Sequence, residues 1–168
     1  MATVTEERVY TTVPSPIGEL LLAGDAERLH AVGFTRARRP LRADASWRRA
    51  DEPFARAQSQ LDEYFAGERT GFELELARPP GAPELDLRVW AELRRISYGR
   101  TASYGEIARS IGAPGAARAV GIANGRNPFA IVVPCHRVIG ADGSLTGYGG
   151  GIERKRFLLE LEGAMLPV

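Results

Sequence analysis

Residues 103–124 read SYGEIARSIGAPGAARAVGIAN and carry the clearest architectural signal in the chain. Ser103 suits the N-cap of a helix over 104–111, and Glu106 three residues later completes a capping box. A turn containing glycine and proline ends this helix, and a second short helix is predicted over 116–124. Two helices joined by a short glycine-bearing turn form the outline of a helix-turn-helix.

The second predicted helix is unusual because its side chains are so small. Alanine or glycine occupies four positions in its first half, at Ala116, Ala117, Ala119 and Gly121. Such a surface can lie close against another helix or against a nucleic-acid groove, and both interpretations are open. Arg118 is the one long cationic side chain near its start. A transcription factor that reads the major groove is disfavoured, because the helix lacks polar side chains able to contact base edges.

The only cysteine of the chain lies downstream, in the sequence IVVPCHRVI over 131–139. An apolar β-branched run that ends at Pro134 predicts a short buried strand, which delivers its last residues to the edge of a site. The thiolate is the reactive form of cysteine, and the neighbouring His136 is a candidate base if a third group orients its ring. A lone cysteine also suits the interior as a small hydrophobic residue. Taken alone, Cys135 and His136 leave both roles open.

Turns and loops flank this cysteine segment. The preceding turn contains Asn127, whose side chain can hydrogen-bond its own backbone and fix the entry into the predicted strand. Residues 140–144 predict a hairpin turn, and 145–151 form a glycine-rich loop whose bare backbone can approach a ligand. This loop lacks the Gly-Lys-Ser/Thr ending of a phosphate-binding P-loop, so that function is rejected.

A final helix is predicted over 153–162, with an inward side formed by Phe157, Leu158 and Leu161. Glu162 stands at its C-terminal end, where the helix dipole disfavours an acidic side chain. We therefore expect Glu162 either to face solvent or to be held in place for a partner such as His136.

The first part of the chain predicts a small α/β domain with an antiparallel sheet. Three strands are expected, over 8–13, 19–23 and 29–34. Residues 35–52 are rich in Arg, Ala and Asp and predict a polar, mobile connection. Pro53 then starts an amphipathic helix that stops at Gly67, and strict alternation over 72–76 predicts a half-exposed strand.

Composition changes at a proline-rich segment over 78–84, which is the predicted linker. Residues 1–77 before it form the predicted α/β domain, and residues 85–168 after it form a mainly helical domain that begins with a helix over 85–96. Residues 1–84 contain 11 Arg and 14 Asp+Glu, a net charge of −3, whereas residues 85–168 contain 11 Lys+Arg and 7 Asp+Glu, a net charge of +4. The basic excess accompanies the cysteine and indicates an anionic partner, with an ordinary solvated surface as the alternative.

The amino-acid composition and the lengths of the apolar runs exclude several classes of protein. No apolar run of about 18 residues is present, so no membrane span is expected, and residues 1–7 lack the features of a signal peptide. One cysteine cannot form an internal disulfide, which favours a cytoplasmic location. With one cysteine and two histidines, we expect no metal and no cofactor.

Together these residues resemble the O6-alkylguanine-DNA alkyltransferases, also called methylated-DNA–protein-cysteine methyltransferases. The motifs that carry the resemblance follow in order and spacing over 85–163: Ser103-Tyr104, Arg118-Ala119-Val120-Gly121, Asn127-Pro128, Pro134-Cys135-His136-Arg137-Val138, Gly147-Tyr148-Gly149-Gly150, Lys155 and Glu162. The resemblance implies an α/β (α+β) fold. A ribonuclease H-like N-terminal domain with an antiparallel sheet would precede a helical C-terminal domain with a helix-turn-helix.

The resemblance also implies a single-use reaction at Cys135. The thiol would take the alkyl group from O6 of guanine, and also from O4 of thymine, and would keep it as a thioether. His136 would accept the thiol proton through a water molecule while Glu162 orients its ring, which follows the nucleophile–base–orienter logic of a triad. Asn127 would brace the turn that shapes the site, and Tyr104 would donate a hydrogen bond toward N3 of guanine.

The implied partner is double-stranded DNA, bound through its minor groove by a monomer that is able to bind cooperatively. The helix that begins at Ala116 would enter the groove, with Arg118 inserted in place of a nucleotide flipped out of the stack. The implied substrate pocket contains five further residues: Tyr148, Gly149, Val138, Ala130 and Lys155. The backbone of Cys135 and Val138 would receive the exocyclic amine of guanine.

The sequence departs from the family pattern at some positions, and two other functions are also considered. Gly149 replaces a common serine and leaves only backbone for contact there, whereas Ala130 replaces a proline of some members and predicts a wider or looser pocket. The zinc ligands of some relatives are absent. A binder of alkylated DNA that does not react with it is one alternative, although Cys135 argues against it. A Cys/His/Glu hydrolase with repeated turnover is the other.

Overall fold

The computed structural model describes residues 7–166, in which a sheet domain precedes a mainly helical domain. Three strands form an antiparallel meander: β1 (Val9–Val13), β2 (Leu20–Gly24) and β3 (Leu29–Phe34). The strand order is β3-β2-β1-β4, with β4 (Arg48–Arg49) parallel to β1 at one edge. The predicted meander is confirmed at all three strands.

One expectation for this half of the chain is wrong. Residues 35–52 are largely irregular and polar at the surface, as expected of a connection, and they also contain β4 and the start of a 3-10 helix (Glu52–Phe54). Residues 72–76 form no ladder, and only Leu76 makes an isolated bridge, to Leu29. Two segments divide the free edge of β3 between them. Leu29 bridges Leu76, and Val32 on the same strand bridges Phe129. The alternation of glutamates with half-buried apolar residues therefore exists without a full strand.

The 3-10 helix and the helix α1 (Ala55–Phe65) that follows it supply the N-terminal half with its largest buried side chains. Phe54, Ala57, Leu61 and Tyr64 recur at helical spacing and are buried, as the amphipathic pattern predicts. These residues belong to one continuous hydrophobic core that also includes residues of the helical domain. The two domains therefore share a packed interior.

Four helices form the second half: α2 (Glu84–Leu93), α3 (Tyr104–Ser110), α4 (Ala117–Gly125) and α5 (Ile152–Leu161). The predicted capping box is present, since the Glu106 N–H donates to Ser103 Oγ at 3.1 Å and the Ser103 N–H donates to the Glu106 carboxylate at 3.3 Å. Trp90 donates from Nε1 to the Ala123 carbonyl at 2.8 Å and so ties α2 to α4. The helix α2 ends at Leu93, slightly earlier than predicted.

The C-terminal region differs from prediction at two places. The 140–144 turn closes through a hydrogen bond from the Gly143 N–H to the Gly140 carbonyl at 2.9 Å. It does not make a hairpin, because β6 (Val138–Ile139) pairs in parallel with β5 (Ala102–Ser103). On α5, Leu158 and Leu159 are buried, whereas Phe157 is 36% exposed and not inward as predicted. In residues 7–166 no helix has the length and apolar character needed to cross a bilayer.

Candidate active site

The cysteine lies in a buried turn and not at the end of a strand. Residues 131–134 form the turn, and Cys135 opens a short 3-10 helix (Cys135–Arg137) that leads into β6. Ile131 has a φ of 71°, a conformation that costs a β-branched residue roughly 1–3 kcal/mol and persists only when its surroundings impose it. The hydrogen bonds are local, from the Cys135 N–H to the Val133 carbonyl at 2.8 Å for example. The strand predicted over 131–133 is therefore wrong.

Two asparagines hold the backbone around the thiol. Asn127 donates from Nδ2 to the Val133 carbonyl at 2.8 Å, and its Oδ1 accepts from the Phe129 N–H at 3.0 Å. Asn124, on the buried side of α4, donates from Nδ2 to the Cys135 carbonyl at 3.3 Å. The predicted position of Asn127 as a brace of this turn matches these contacts, whereas Asn124 was not anticipated.

His136 and Glu162 form a fully buried pair beside the cysteine. His136 Nε2 lies 2.8 Å from Glu162 Oε2, and both side chains are 0% exposed. A carboxylate only accepts hydrogen bonds, so Nε2 carries the proton and Nδ1 presents its lone pair. Nδ1 has no hydrogen-bond partner within residues 7–166. The imidazole is thereby oriented as a base, and Glu162 takes the second of its two predicted positions, facing His136.

The Glu162 carboxylate receives three further hydrogen bonds that we did not predict. Arg137 donates from Nε to Oε1 at 2.8 Å and from Nη2 to Oε2 at 3.0 Å. Tyr64, on α1 of the N-terminal domain, donates its hydroxyl to Oε2 at 2.6 Å. The bidentate arginine and the tyrosine fix the carboxylate in place.

These contacts keep Glu162 ionised and His136 neutral. Burial alone would raise the pKa of Glu162, but hydrogen bonds from His136, Arg137 and Tyr64 outweigh it and lower the pKa to about 2. Burial lowers the pKa of His136, and the positive charges of Arg137 and Lys155 act in the same direction against the raising effect of Glu162. A neutral imidazole is the form that can accept a proton.

The thiol itself is buried among polar groups. Cys135 is 7% exposed, and burial raises its pKa, while the Asn127 amide and the charge of Lys155 act to lower it. Lys155 is fully buried and donates from Nζ to the Val138 carbonyl at 2.5 Å and to the Thr146 carbonyl at 3.2 Å. Burial lowers the pKa of Lys155 to about 8. The thiol is therefore protonated at neutral pH and needs a base before it can attack.

The remaining predicted pocket residues differ in their distance from the thiol and in their burial. Tyr104 shares a 2.6 Å hydrogen bond between its hydroxyl and Thr146 Oγ1. The Tyr148 hydroxyl is buried, and its pKa is raised by burial and by the nearby Cys135. Ala130 is half-buried, and Gly149 is exposed with open space where a Cβ would stand. The structure thus places Tyr148 and Lys155 next to the thiol, and Gly149 lies on the surface beside Tyr148.

The helix α4 presents its small residues beside this pocket. Arg118 is exposed, and Ala116, Ala117, Ala119 and Gly121 are half-buried. A Cβ at Gly121 would lie 3.6 Å from the ring of Tyr104, so the helix approaches the pocket closely there. The surface around Arg118 therefore consists of small side chains, and the Arg118 guanidinium group is the long side chain among them.

Comparison with known proteins identifies the family. The family model for the 6-O-methylguanine DNA methyltransferase DNA binding domain matches residues 84–164, and the model for its ribonuclease-like domain matches residues 8–78. The chain belongs to the 6-O-methylguanine DNA methyltransferase family. A methylated-DNA–protein-cysteine methyltransferase of Methanosarcina acetivorans is 52% identical over 155 residues, which cover 92% of this chain and 98% of the relative. The Mycobacterium tuberculosis protein of that name is 54% identical over 159 residues, 94% of each chain.

Solved structures of the family have the same fold. The crystal structure of Mycobacterium tuberculosis O6-methylguanine methyltransferase has a TM-score of 0.85 and 52% identity, with 95% of each chain covered. A structure of the Mycobacterium tuberculosis protein in complex with DNA has a TM-score of 0.85 and 54% identity, with 92% of each chain covered. The resemblance seen in the sequence and the expected class of fold are confirmed. Among residues 7–166 no three His, Cys, Asp or Glu side chains cluster as metal ligands would.

Proposed function

We propose that this member of the family repairs DNA by moving the alkyl group of O6-alkylguanine onto the sulfur of Cys135. The observation that carries the proposal is the buried His136–Glu162 pair next to the only cysteine of the chain. An imidazole with a free Nδ1 and an ionised partner is what a protonated, buried thiol requires for activation. Relatives that share half of the sequence are named for transfer of a methyl group from DNA to a protein cysteine.

The proposed reaction begins with proton transfer. His136 Nδ1 takes the Cys135 proton through a water molecule, and Glu162 stabilises the resulting imidazolium. The thiolate then attacks the alkyl carbon, so that a C–S bond forms as the C–O bond to guanine breaks. Tyr104 transfers its hydroxyl proton to N3, so that guanine leaves as a neutral base, and the tyrosinate regains a proton from the His136 imidazolium through water. The thioether has no leaving group, so each molecule reacts once; O4-methylthymine fits the same chemistry.

The proposed substrate is a nucleotide turned out of duplex DNA. O6 of a stacked guanine is inaccessible to a buried thiol, and unstacking costs a few kcal/mol. The small residues of α4 suit close approach to the minor groove, and Arg118 is the side chain able to fill the gap in the stack. A single chain suffices for the reaction and can bind cooperatively on longer DNA. The remaining pocket contacts are the backbone of Cys135 and Val138 for the exocyclic amine, with Tyr148, Gly149, Ala130 and Lys155 around the base.

In this proposal, successive segments of the chain have different roles. Residues 1–77 support the site, 78–84 link the halves, and 85–168 bind DNA and carry the reaction, with α3 and α4 as a helix-turn-helix. A thiol that must stay reduced until it reacts fits the cytoplasm.

Mass spectrometry of the Cys135 peptide tests the proposal. The protein is mixed with a duplex oligonucleotide that contains one O6-methylguanine, and Cys135→Ser serves as the control. We expect one methyl group on the Cys135 peptide and none with the variant. An intact lesion beside unmodified Cys135 contradicts the proposal and favours a binder that does not react.

A further inference from the structure

A surface loop after β3 carries four arginines that the proposed reaction does not use. Residues 35–42 read TRARRPLR, and we name them the arginine loop. Its cationic side chains are all exposed: Arg36, Arg38, Arg39 and Arg42. The Leu41 N–H donates to the Phe34 carbonyl at 2.9 Å and closes the loop at its base. Backbone bonding therefore sets the shape of the loop and leaves the guanidinium groups at the surface.

The charge of the arginine loop is not neutralised by the described part of the chain. None of its four guanidinium groups forms a salt bridge with a carboxylate in residues 7–166. Glu19, at the base of the loop, accepts a hydrogen bond from the Thr35 hydroxyl at 2.9 Å instead. Four like charges within seven residues repel one another. An external polyanion would relieve this repulsion.

Arg154 of α5 fastens the arginine loop to the glycine-rich loop over 145–151. Its Nη1 donates to the Arg36 carbonyl at 2.7 Å and to the Gly150 carbonyl at 3.2 Å. The same guanidinium group stacks on the ring of Phe34 at 4.2 Å. The arginine loop is thus held against one side of the 145–151 loop.

The other side of the 145–151 loop faces α4. Thr146 is hydrogen-bonded to Tyr104, and the ring of Tyr104 lies against Gly121 of α4. Tyr148, next to the thiol, packs edge-on against Phe34 with ring centroids 6.5 Å apart. The contacts therefore run in the order α4, Tyr104, 145–151 loop, arginine loop, and Tyr104 and Tyr148 of the proposed substrate pocket both lie along this path.

We infer that the arginine loop binds backbone phosphates of the DNA on the side of the flipped nucleotide opposite α4. Guanidinium groups match phosphate oxygens in pairs of hydrogen bonds, and a rigidly placed cluster adds contacts without reading sequence. The inference rests on the proposed function, because it requires duplex DNA on α4. It extends the DNA-binding surface to the N-terminal domain, whose overall charge is negative.

The salt dependence of binding tests this inference. All proteins carry Cys135→Ser so that the lesion stays intact, and the duplex is short enough to hold one molecule. Each phosphate that an arginine neutralises adds about 0.9 to the slope of log Kobs against log salt. We expect R38Q/R39Q/R42Q to reduce the slope by about 2.7, and to weaken binding at 0.1 M salt by on the order of tenfold for each phosphate left without an arginine. The matched control is Arg28→Gln, an exposed arginine at the opposite end of β3, compared with Arg39→Gln.

Three outcomes separate the possibilities. A smaller slope for the arginine-loop variants with an unchanged slope for Arg28→Gln supports the inference, and the variants with Cys135 intact should still react normally with free O6-benzylguanine. An unchanged slope overturns it. A decrease in binding seen only on long DNA also overturns it, and indicates contact with a neighbouring copy. If the proposed function itself fails, the parent protein leaves Cys135 unmodified, whatever the arginine loop does.

Discussion

Tyr64→Phe removes one atom that joins the N-terminal domain to the reactive centre. The hydroxyl is fully buried and donates to Glu162 at 2.6 Å. The fall in the Glu162 pKa from 4.5 to about 2 corresponds to roughly 3 kcal/mol at about 1.4 kcal/mol per unit. Tyr64 is one of several groups that lower this pKa, and we expect the loss of its hydrogen bond to cost about 1 kcal/mol, the net value of one hydrogen bond.

The lowered pKa of Glu162 determines how the stability lost in Tyr64→Phe should change with pH. The folded pKa of Glu162 lies below its unfolded value, so the stabilisation is complete above about pH 5 and disappears as pH falls toward 2. Urea unfolding at several pH values should show Tyr64→Phe about 1 kcal/mol less stable at pH 7, with a smaller difference at pH 3. Tyr10→Phe, a half-buried tyrosine on β1, is the matched control. A difference that does not change between pH 7 and pH 3 would refute the reasoning.

Reaction kinetics add a second readout. With one donor fewer, more of the Glu162 charge acts on His136 and raises the pKa of the imidazole. The rate of Cys135 alkylation should therefore begin to fall at a higher pH in Tyr64→Phe as the solution is acidified. A purely structural role for Tyr64 would lower the fraction of folded protein without moving this midpoint.

Three further substitutions test other parts of the account. Arg118→Ala should slow repair of duplex substrate far more than reaction with free O6-benzylguanine, because the side chain is exposed and its proposed role is contact with duplex DNA; equal decreases in the two assays would contradict base flipping by this residue. Glu162→Gln should cost about 3–5 kcal/mol of unfolding free energy, since Arg137 would remain buried without its counter-charge, and thermal unfolding at pH 7 measures the decrease. Gly149→Ser should change stability by less than about 0.5 kcal/mol because a Cβ there meets no other atom; a larger decrease on urea unfolding would show that the 145–151 loop is more constrained.

Local signals in the sequence predicted much of the fold. The capping box at Ser103 and Glu106 involves residues three apart, and the meander strands follow one another directly, so short patterns suffice for both. The order of motifs around Cys135 identified the family before any geometry was available. The unfavourable place of an acid at the end of α5 left two alternatives for Glu162, solvent or a partner such as His136, and the family resemblance implied the second.

The errors arose where long-range contacts decide the structure. The run Ile131–Val133 has the composition of a strand, but Ile131 at positive φ and the hydrogen bonds of Asn127 turn it into a loop. Tyr64 is 98 residues from Glu162, and nothing in its spacing on α1 distinguishes it from an ordinary core aromatic. Arg137 did have a signal, because it stands beside His136 in the same motif.

The number of lesions repaired by each protein molecule tests the central claim most directly. A fixed amount of protein is incubated with increasing amounts of an O6-methylguanine duplex, and the repaired fraction is measured after the reaction stops. The account predicts a plateau at one lesion for each Cys135, which a second addition of substrate does not raise. Repair that continues beyond this plateau would show that the sulfur is regenerated, and the single-use acceptor would then be wrong.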